Sequence, residues 1–376
     1  MNTPIYLDYN ATAKVRPVAA EAVARALALG GNPSSVHSAG RAARALVEKA
    51  RAEVAALVAV TPGAVTFVSG GTEAVALAME SALAAGFTRL IIGATEHEAV
   101  RETAAASGVA VQVWPVDADG VADLDWLEGH LDTRSRPLVC LMLANNETGV
   151  IQPVAQAAAM VRRVGGWLHA DAVQAAGKIA LDFDALGADT LSLSAHKLGG
   201  PQGVGALIAG PCATLTRRLH GGGQERSLRA GTENVAGVAG FGAAAREAAA
   251  DLALIEAQEP WRDALAARVM EAGATVLGAT APRLPQTLCF ALDGFSAETQ
   301  VMALDLAGVM VSAGAACSSG KVKASHVVEA MGRPDFAASS IRVSGGWATT
   351  AEDWRRCGEV WLEAWLRHAD RRRRVA

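Results

Sequence analysis

Thr190-Leu191-Ser192-Leu193-Ser194-Ala195-His196-Lys197 decides the reading of this chain. Leucines alternate with small hydroxyl residues. A histidine and a lysine then arrive where the strand must stop, ahead of Gly199-Gly200-Pro201. Lysines are surface residues by habit. This one has small, apolar neighbours, and desolvation lowers an amine's pKa and favours its addition to a carbonyl. The stretch reads as the end of a buried strand whose lysine forms a Schiff base.

Working outward, short β-branched runs alternate with alanine-rich amphipathic segments, the grammar of an α/β protein with a mainly parallel sheet. Seven strands are predicted at residues 64–69, 89–93, 110–116, 138–143, 166–170, 190–194 and 204–209. Helices fall at 41–58, 73–85, 98–106, 124–131 and 154–164, and a long one at 236–268. A second block follows, with strands at 287–291, 309–312 and 341–344 and helices at 297–306 and 351–368. The expected organisation is a large domain of residues 13–259 and a smaller α+β domain of residues 1–12 and 260–376, with the boundary near Pro260.

Composition narrows the function classes. Of 376 residues, 51% are hydrophobic and 19% charged, enough for a sizeable core. Lys+Arg number 34 against 38 Asp+Glu, and aromatics are 5%. That balance argues against a chain-wide nucleic-acid or anionic-membrane footprint, and so few aromatics argue against a base-stacking platform. The mean hydropathy of +0.22 comes from dispersed aliphatic residues, and no window approaches a membrane-spanning helix. No basic, apolar leader opens the chain. Cys140, Cys212, Cys289, Cys317 and Cys357 are scattered without a CxxC pair, so neither an intrinsic metal site nor a disulfide framework is expected. The expected location is the cytoplasm, with no membrane or nucleic-acid partner. The basic run 371–374 reads as a solvated helix end.

Polar clusters recur just after predicted strands, where parallel sheets assemble their sites. Ser69-Gly70-Gly71-Thr72-Glu73 fits either a capped turn or a phosphate cradle at a helix N-terminus. Glu96-His97-Glu98 fits a solvated turn or a ring-stacking histidine. Asn145-Asn146-Glu147 by itself looks like a turn, and Asp171 either caps its strand or faces a ligand. If the carbonyl that Lys197 captures is pyridoxal phosphate, the set becomes coherent. Gly71, Thr72, Ser194 and His196 cradle phosphate, Asp171 faces the pyridinium nitrogen and His97 stacks on the ring. The run Gly221-Gly222-Gly223-Gln224-Glu225-Arg226, continuing to Thr232, fits an anion-binding loop or a mobile connector. Ala313-Gly314-Ala315-Ala316-Cys317-Ser318-Ser319-Gly320 sets a cysteine among very small residues, followed by Lys321 and Lys323. That context favours an accessible thiolate over an inert core thiol. Arg342, in Ser340-Ile341-Arg342-Val343-Ser344, invites a carboxylate, supplied by a substrate or by a structural ion pair.

Taken together, the motifs from Tyr6-Leu7-Asp8-Tyr9-Asn10-Ala11-Thr12 to Ser344 resemble the cysteine desulfurases, the NifS/IscS-like group I branch of the fold-type I pyridoxal-phosphate enzymes. The resemblance covers about nine tenths of the chain, with a dozen short motifs in the family's order. It implies a homodimer that binds pyridoxal 5'-phosphate and takes sulfur from L-cysteine. It further implies that His97 stacks on the cofactor, Asn146 approaches cofactor and substrate, and Asp171 and Gln174 face the ring nitrogen and hydroxyl. Ser194 and His196 hold the phosphate, Lys197 carries the cofactor, and Thr232 reaches the phosphate of the neighbouring subunit. Cys317 becomes the persulfide-forming nucleophile and Arg342 the substrate carboxylate clamp, with Asn32 and His37 near the entrance. The acceptor implied is an iron–sulfur scaffold, with which Cys317 could share a cluster, or another persulfide carrier. Two departures stand out. Gly70-Gly71-Thr72-Glu73 replaces the usual Gly-Ala-Thr-Glu, and the chain ends soon after its last helix, without the longer extension some members use to dock a scaffold. The competing readings are a related lyase or class V aminotransferase in which Cys317 is incidental, and a non-enzymatic sulfur-relay subunit.

Overall fold

The computed structural model describes residues 4–314 and 324–375. Its centre is a seven-stranded sheet built from β1 (Val65–Val68), β2 (Arg89–Gly93), β3 (Val111–Trp114), β4 (Pro137–Met142), β5 (Trp167–Asp171), β6 (Thr190–Ser194) and β7 (Gly205–Ala209), in the spatial order 1-7-6-5-4-2-3. All strands run parallel except β7, which pairs antiparallel with both β1 and β6. The mainly parallel seven-stranded α/β sheet expected from the sequence is present.

Strands buried on both faces need apolar residues at every position. The odd and even positions here serve different helical layers. Leu90, Ile92, Leu138, Cys140 and Trp167 pack with Val75 and Met79 of the helix Gly71–Ala84 and Val100 of Glu98–Ala106. Ile91, Val139, Leu141, Leu168, Ala170, Leu191 and Leu193 form the opposite core with Val47 and Val54 of the helix Ser38–Leu57, Val161 of Val154–Arg163 and Phe241 of Val235–Ala250. Alternation in β5 thus sends Leu168 and Ala170 one way and His169 and Asp171 the other.

A second hydrophobic core, around Phe290, Phe295, Trp354 and Trp361, backs an antiparallel sheet ordered Ser312–Ala313, Ser340–Ser344, Thr287–Ala291, Thr275–Val276. The chain's start joins this body. Ile5–Tyr6 pairs in parallel with Val309–Met310, and Asp8 bridges to Ser344. The long helix expected at 236–268 is instead three: Val235–Ala250, Leu252–Glu256 and Glu259–Glu271. Asp251, at the first break, takes an ion pair from Arg16. Gln258, at the second, is buried and donates to the Gly346 carbonyl at 3.0 Å. Pro260 then sits in the first turn of the next helix, where its missing N–H costs nothing. The helix Pro17–Leu29, packed on Val235–Ala250, was not expected.

Candidate active site

The carboxyl ends of the parallel strands open into one cavity of about 420 Å³. Five of the seven strands lead into residues that line it. Gly71 and Thr72 open the helix after β1, His97 follows β2 and Asn146 follows β4. Asp171 ends β5, Ser194 ends β6, and Lys197 closes the short 3-10 turn Ala195–Lys197. Gln174, His196 and Arg342 also line it, the last from the middle of Ser340–Ser344. Asn32 and Thr232 do not line it. Asn32 is exposed and accepts from the backbone N–H of Ser34 at 2.9 Å, and Thr232 is exposed beside the glycine-rich loop. His37, exposed as well, caps the helix Ser38–Leu57 by accepting from Gly40 N–H. Cys317 lies outside the described residues.

Lys197 Nζ donates to the carbonyl oxygens of Asn10 and Ala11 at 2.6 and 2.9 Å. Burial lowers its pKa to about 8. The Arg342 charge helps, and Asp8 and Asp171 oppose. The amine is therefore substantially neutral in mildly alkaline water, the form that attacks a carbonyl. His196 is pulled down to about 4 by burial and by Lys197 and Lys178, so it is neutral and acts as a hydrogen-bonding ring beside Thr12. Asp171 is braced: its Oδ1 accepts from Ser192 Oγ and from Val173 N–H, both at 2.9 Å. His97 Nδ1 accepts from Ala99 N–H at 3.0 Å, capping its helix, so the proton of the neutral ring sits on Nε2.

Asn146 stands on a turn built by its neighbour. Asn145 Oδ1 accepts from the N–H groups of Glu147 and Thr148, both at 2.9 Å. The Asn146 carbonyl accepts from Arg342 and, at 3.3 Å, from Asn10 Nδ2, while its buried side-chain Oδ1 has no partner among the described residues. Arg342 reaches Asp8 at 2.7 Å and the Asn146 carbonyl at 3.0 Å. Arg342 thus holds a structural carboxylate and also lines the cavity.

The glycine-rich loop is anchored at Glu225. Glu225, Arg226 and Ser227 take three consecutive left-handed conformations, with φ of 43°, 55° and 67°. Glu225 is buried, receives both guanidinium nitrogens of Arg51 at 2.8 Å, and accepts from Phe67 N–H. A buried, bidentate ion pair therefore clamps the loop to the edge strand β1, at the cost of backbone strain.

Four residues at or behind the cavity were not assigned from sequence: Asp8, Asn10, Glu96 and Lys178. Glu96, read there only as part of a turn, is fully buried. Its Oε1 accepts from Met142 N–H at 2.5 Å and its Oε2 has no partner among the described residues. Burial, reinforced by Asp171, pushes it up to about 8, so it is a neutral acid at pH 7. Lys178 carried the same signal as Lys197, a lysine among Ala175, Ala176, Gly177, Ile179 and Ala180.

The family model for aminotransferase class-V matches residues 5–356. The chain belongs to that family. Among its relatives, a cysteine desulfurase of Cereibacter sphaeroides is 43% identical over 360 residues, covering 93% of this chain and 92% of that protein. A cysteine desulfurase IscS of Dictyoglomus turgidum is 38% identical over 364 residues, 94% of this chain and 92% of the other. The crystal structure of a NifS-like protein from Rickettsia africae superposes with a TM-score of 0.88 at 31% identity, covering 96% of this chain and 99% of that one. As in other class-V aminotransferase family members, the fold is of the pyridoxal-phosphate-dependent type. Among the described residues no helix is long and apolar enough to cross a membrane.

Proposed function

We propose that the protein is a pyridoxal-phosphate-dependent cysteine desulfurase, a sulfurtransferase that converts L-cysteine to L-alanine and leaves the sulfur on Cys317 as a persulfide. One juxtaposition carries the reading. A lysine of lowered basicity, a braced aspartate and a half-committed arginine share one cavity, in a chain whose relatives bear that name.

The residues fit the cofactor. The backbone at Gly71 runs close to the cavity wall, since a Cβ there would meet Val173 Cγ2 at 3.0 Å. The free N–H groups of the helix it opens suit a phosphate, together with Thr72, Ser194 and His196. The unpartnered Asn146 Oδ1 and the Gln174 amide offer polar contacts to the ring and its substituents. When bound, the pyridinium ring supplies an electron sink for bonds at the substrate's α- and β-carbons.

The chain's own groups then have distinct tasks. Lys197 Nζ would anchor the cofactor and, as a free amine, would move the α-proton of the substrate. Asp171 keeps the ring nitrogen protonated, and its braced Oδ1 prevents it from swinging away. Arg342 holds the substrate carboxylate with the part of its fork that Asp8 leaves free. His97 carries a movable proton on Nε2 at the substrate thiol. In the net step Cys317 sulfur bonds to the substrate sulfur as the substrate C–S bond breaks. L-Cysteine and a thiol thus become L-alanine and a persulfide, with no external oxidant. We further propose a homodimer in which Thr232 serves the neighbouring site, a cytoplasmic location, and sulfur delivery to an iron–sulfur scaffold or another acceptor protein.

The test is alanine and sulfide release from L-cysteine with dithiothreitol, for wild type, Cys317→Ser and Lys197→Ala. Equimolar products from wild type alone, with the cofactor's colour retained by Cys317→Ser and lost by Lys197→Ala, are expected. Equal turnover by Cys317→Ser would overturn the persulfide step and favour a lyase.

A further inference from the structure

Lys178 lies behind the site, not in it. It follows β5 by a tight turn that is pressed against the helix Val235–Ala250. Gly177 has φ +69°, and a Cβ there would lie 2.8 Å from Ala248 Cβ and 3.0 Å from Leu198 Cδ2. The next side chain is thereby turned inward, and Lys178 is only 6% exposed. No carboxylate pairs with it among the described residues. The charges bearing on it are two cations, Lys197 and Arg342, and with burial they pull its pKa down to about 7. A buried amine without a counter-charge is costly, so its persistence calls for a task.

Its hydrogen bond names the task. Lys178 Nζ donates to Gln174 Oε1 at 3.2 Å. Gln174 Nε2 donates at 2.9 Å to the carbonyl of Asn10, the same oxygen that accepts from Lys197 Nζ. A carbonyl only accepts, and a lysine offers N–H in either protonation state, so the two contacts fix which way the amide faces. Nε2 keeps one N–H over for the cavity that Gln174 lines.

We propose that Lys178 is a positioning residue: by holding Gln174 Oε1 it obliges Gln174 to present an N–H, not a carbonyl, to an anionic oxygen of the bound cofactor. This rests on the pyridoxal-phosphate reading above. A donor to that oxygen competes with the proton shared with the Lys197 nitrogen, so removing Lys178 lets the nitrogen keep its proton to higher pH.

The experiment titrates the absorbance of the holoenzyme's bound chromophore against pH, without substrate, in wild type, Lys178→Met, Gln174→Leu and the double variant. Lys178→Met is expected to raise the titration midpoint by about 0.5–1 pH unit. In the Gln174→Leu background the same substitution is expected to move it by less than half as much. A folded Lys178→Met protein that titrates like wild type, or equal shifts in both backgrounds, overturns the proposal. Should Lys178→Met yield no soluble holoprotein, Lys178→Gln is read by the same criteria, because its amide no longer imposes one orientation on Gln174. Borohydride fixation of the cofactor on wild-type Lys197, read by mass spectrometry, separates the two readings. No fixation sinks the cofactor assignment itself, whereas fixation with an unmoved midpoint sinks only the role of Lys178.

Discussion

Replacing Glu96 with glutamine tests whether a carboxyl is kept neutral beneath the site. Glu96 is fully buried and held up at about 8, from an ordinary 4.5. Between those values the folded chain keeps a proton that the unfolded chain releases. The folded state then binds more protons, and stability falls as pH rises. Each pH unit inside the window costs about 1.4 kcal/mol, so from pH 5 to 7 wild type loses roughly 2–3 kcal/mol through this residue. Glutamine mimics the protonated acid, accepting from Met142 N–H without titrating. At about 2.1 cal/mol/K per residue, unfolding 376 residues carries an entropy near 0.8 kcal/mol/K. The Glu96→Gln protein is therefore expected to gain about 3 °C in thermal midpoint on wild type between pH 5 and pH 7, in scans at matched rate and cofactor saturation. A constant difference across that range would show that Glu96 is ionised or solvated in the native protein and would refute the reasoning.

Three further outcomes follow from the geometry. Glu225→Gln should destabilise the protein by about 3–5 kcal/mol, because the buried Arg51 guanidinium loses its buried counter-charge and keeps only the exposed Glu48 at 3.3 Å; Arg51→Met/Glu225→Met together should recover much of that loss in thermal unfolding. Capture of added pyridoxal phosphate by the cofactor-free protein should accelerate as pH rises, with a midpoint near 8, since only the deprotonated Lys197 Nζ attacks and its pKa is lowered to about 8; a rate flat from pH 6.5 to 9 contradicts a neutralised lysine. Arg342→Lys keeps the charge but loses the fork that spans Asp8 and the Asn146 carbonyl, and should raise the KM for L-cysteine by about tenfold or more in steady-state assays.

The sheet was legible because strands covered on both faces announce themselves as short apolar runs, and the site because parallel sheets present their chemistry at strand ends. Lys197 and Ser194 could thus be placed at a strand end by local pattern, whereas Asn146 by itself read as a turn and Asp171 as either a cap or a ligand contact. The rest depends on contacts between distant segments. Nothing in Thr95-Glu96-His97 separates the acid that drops behind β4 from the histidine that caps a helix at the cavity. The Asn10 side chain matters because it meets Asn146 and Thr287, residues 136 and 277 positions away. The strained turn at Glu225–Ser227 opposes local preference, and distant partners, the buried Arg51 and the Phe67 N–H among them, hold it. The single helix expected at 236–268 failed for a similar reason. Asp251 and Gln258 are drawn aside by Arg16 and Gly346, partners that periodicity does not see.

The order in which the chain is made has a bearing on its first residues. Ile5–Tyr6 finds its strand partner at Val309–Met310, Asp8 binds Arg342, and Asn10 N–H bonds Ser344 Oγ, 334 residues downstream. A ribosome must therefore deliver nearly the whole polypeptide before its opening segment can dock. Until then the Asn10 and Ala11 carbonyls that seat the Lys197 amine have no fixed place, however early the large sheet assembles. Contacts spanning such separations form slowly. Lys197 consequently acquires its seat only once residues 309–344 have been made and docked, and a shorter nascent chain lacks the finished cavity.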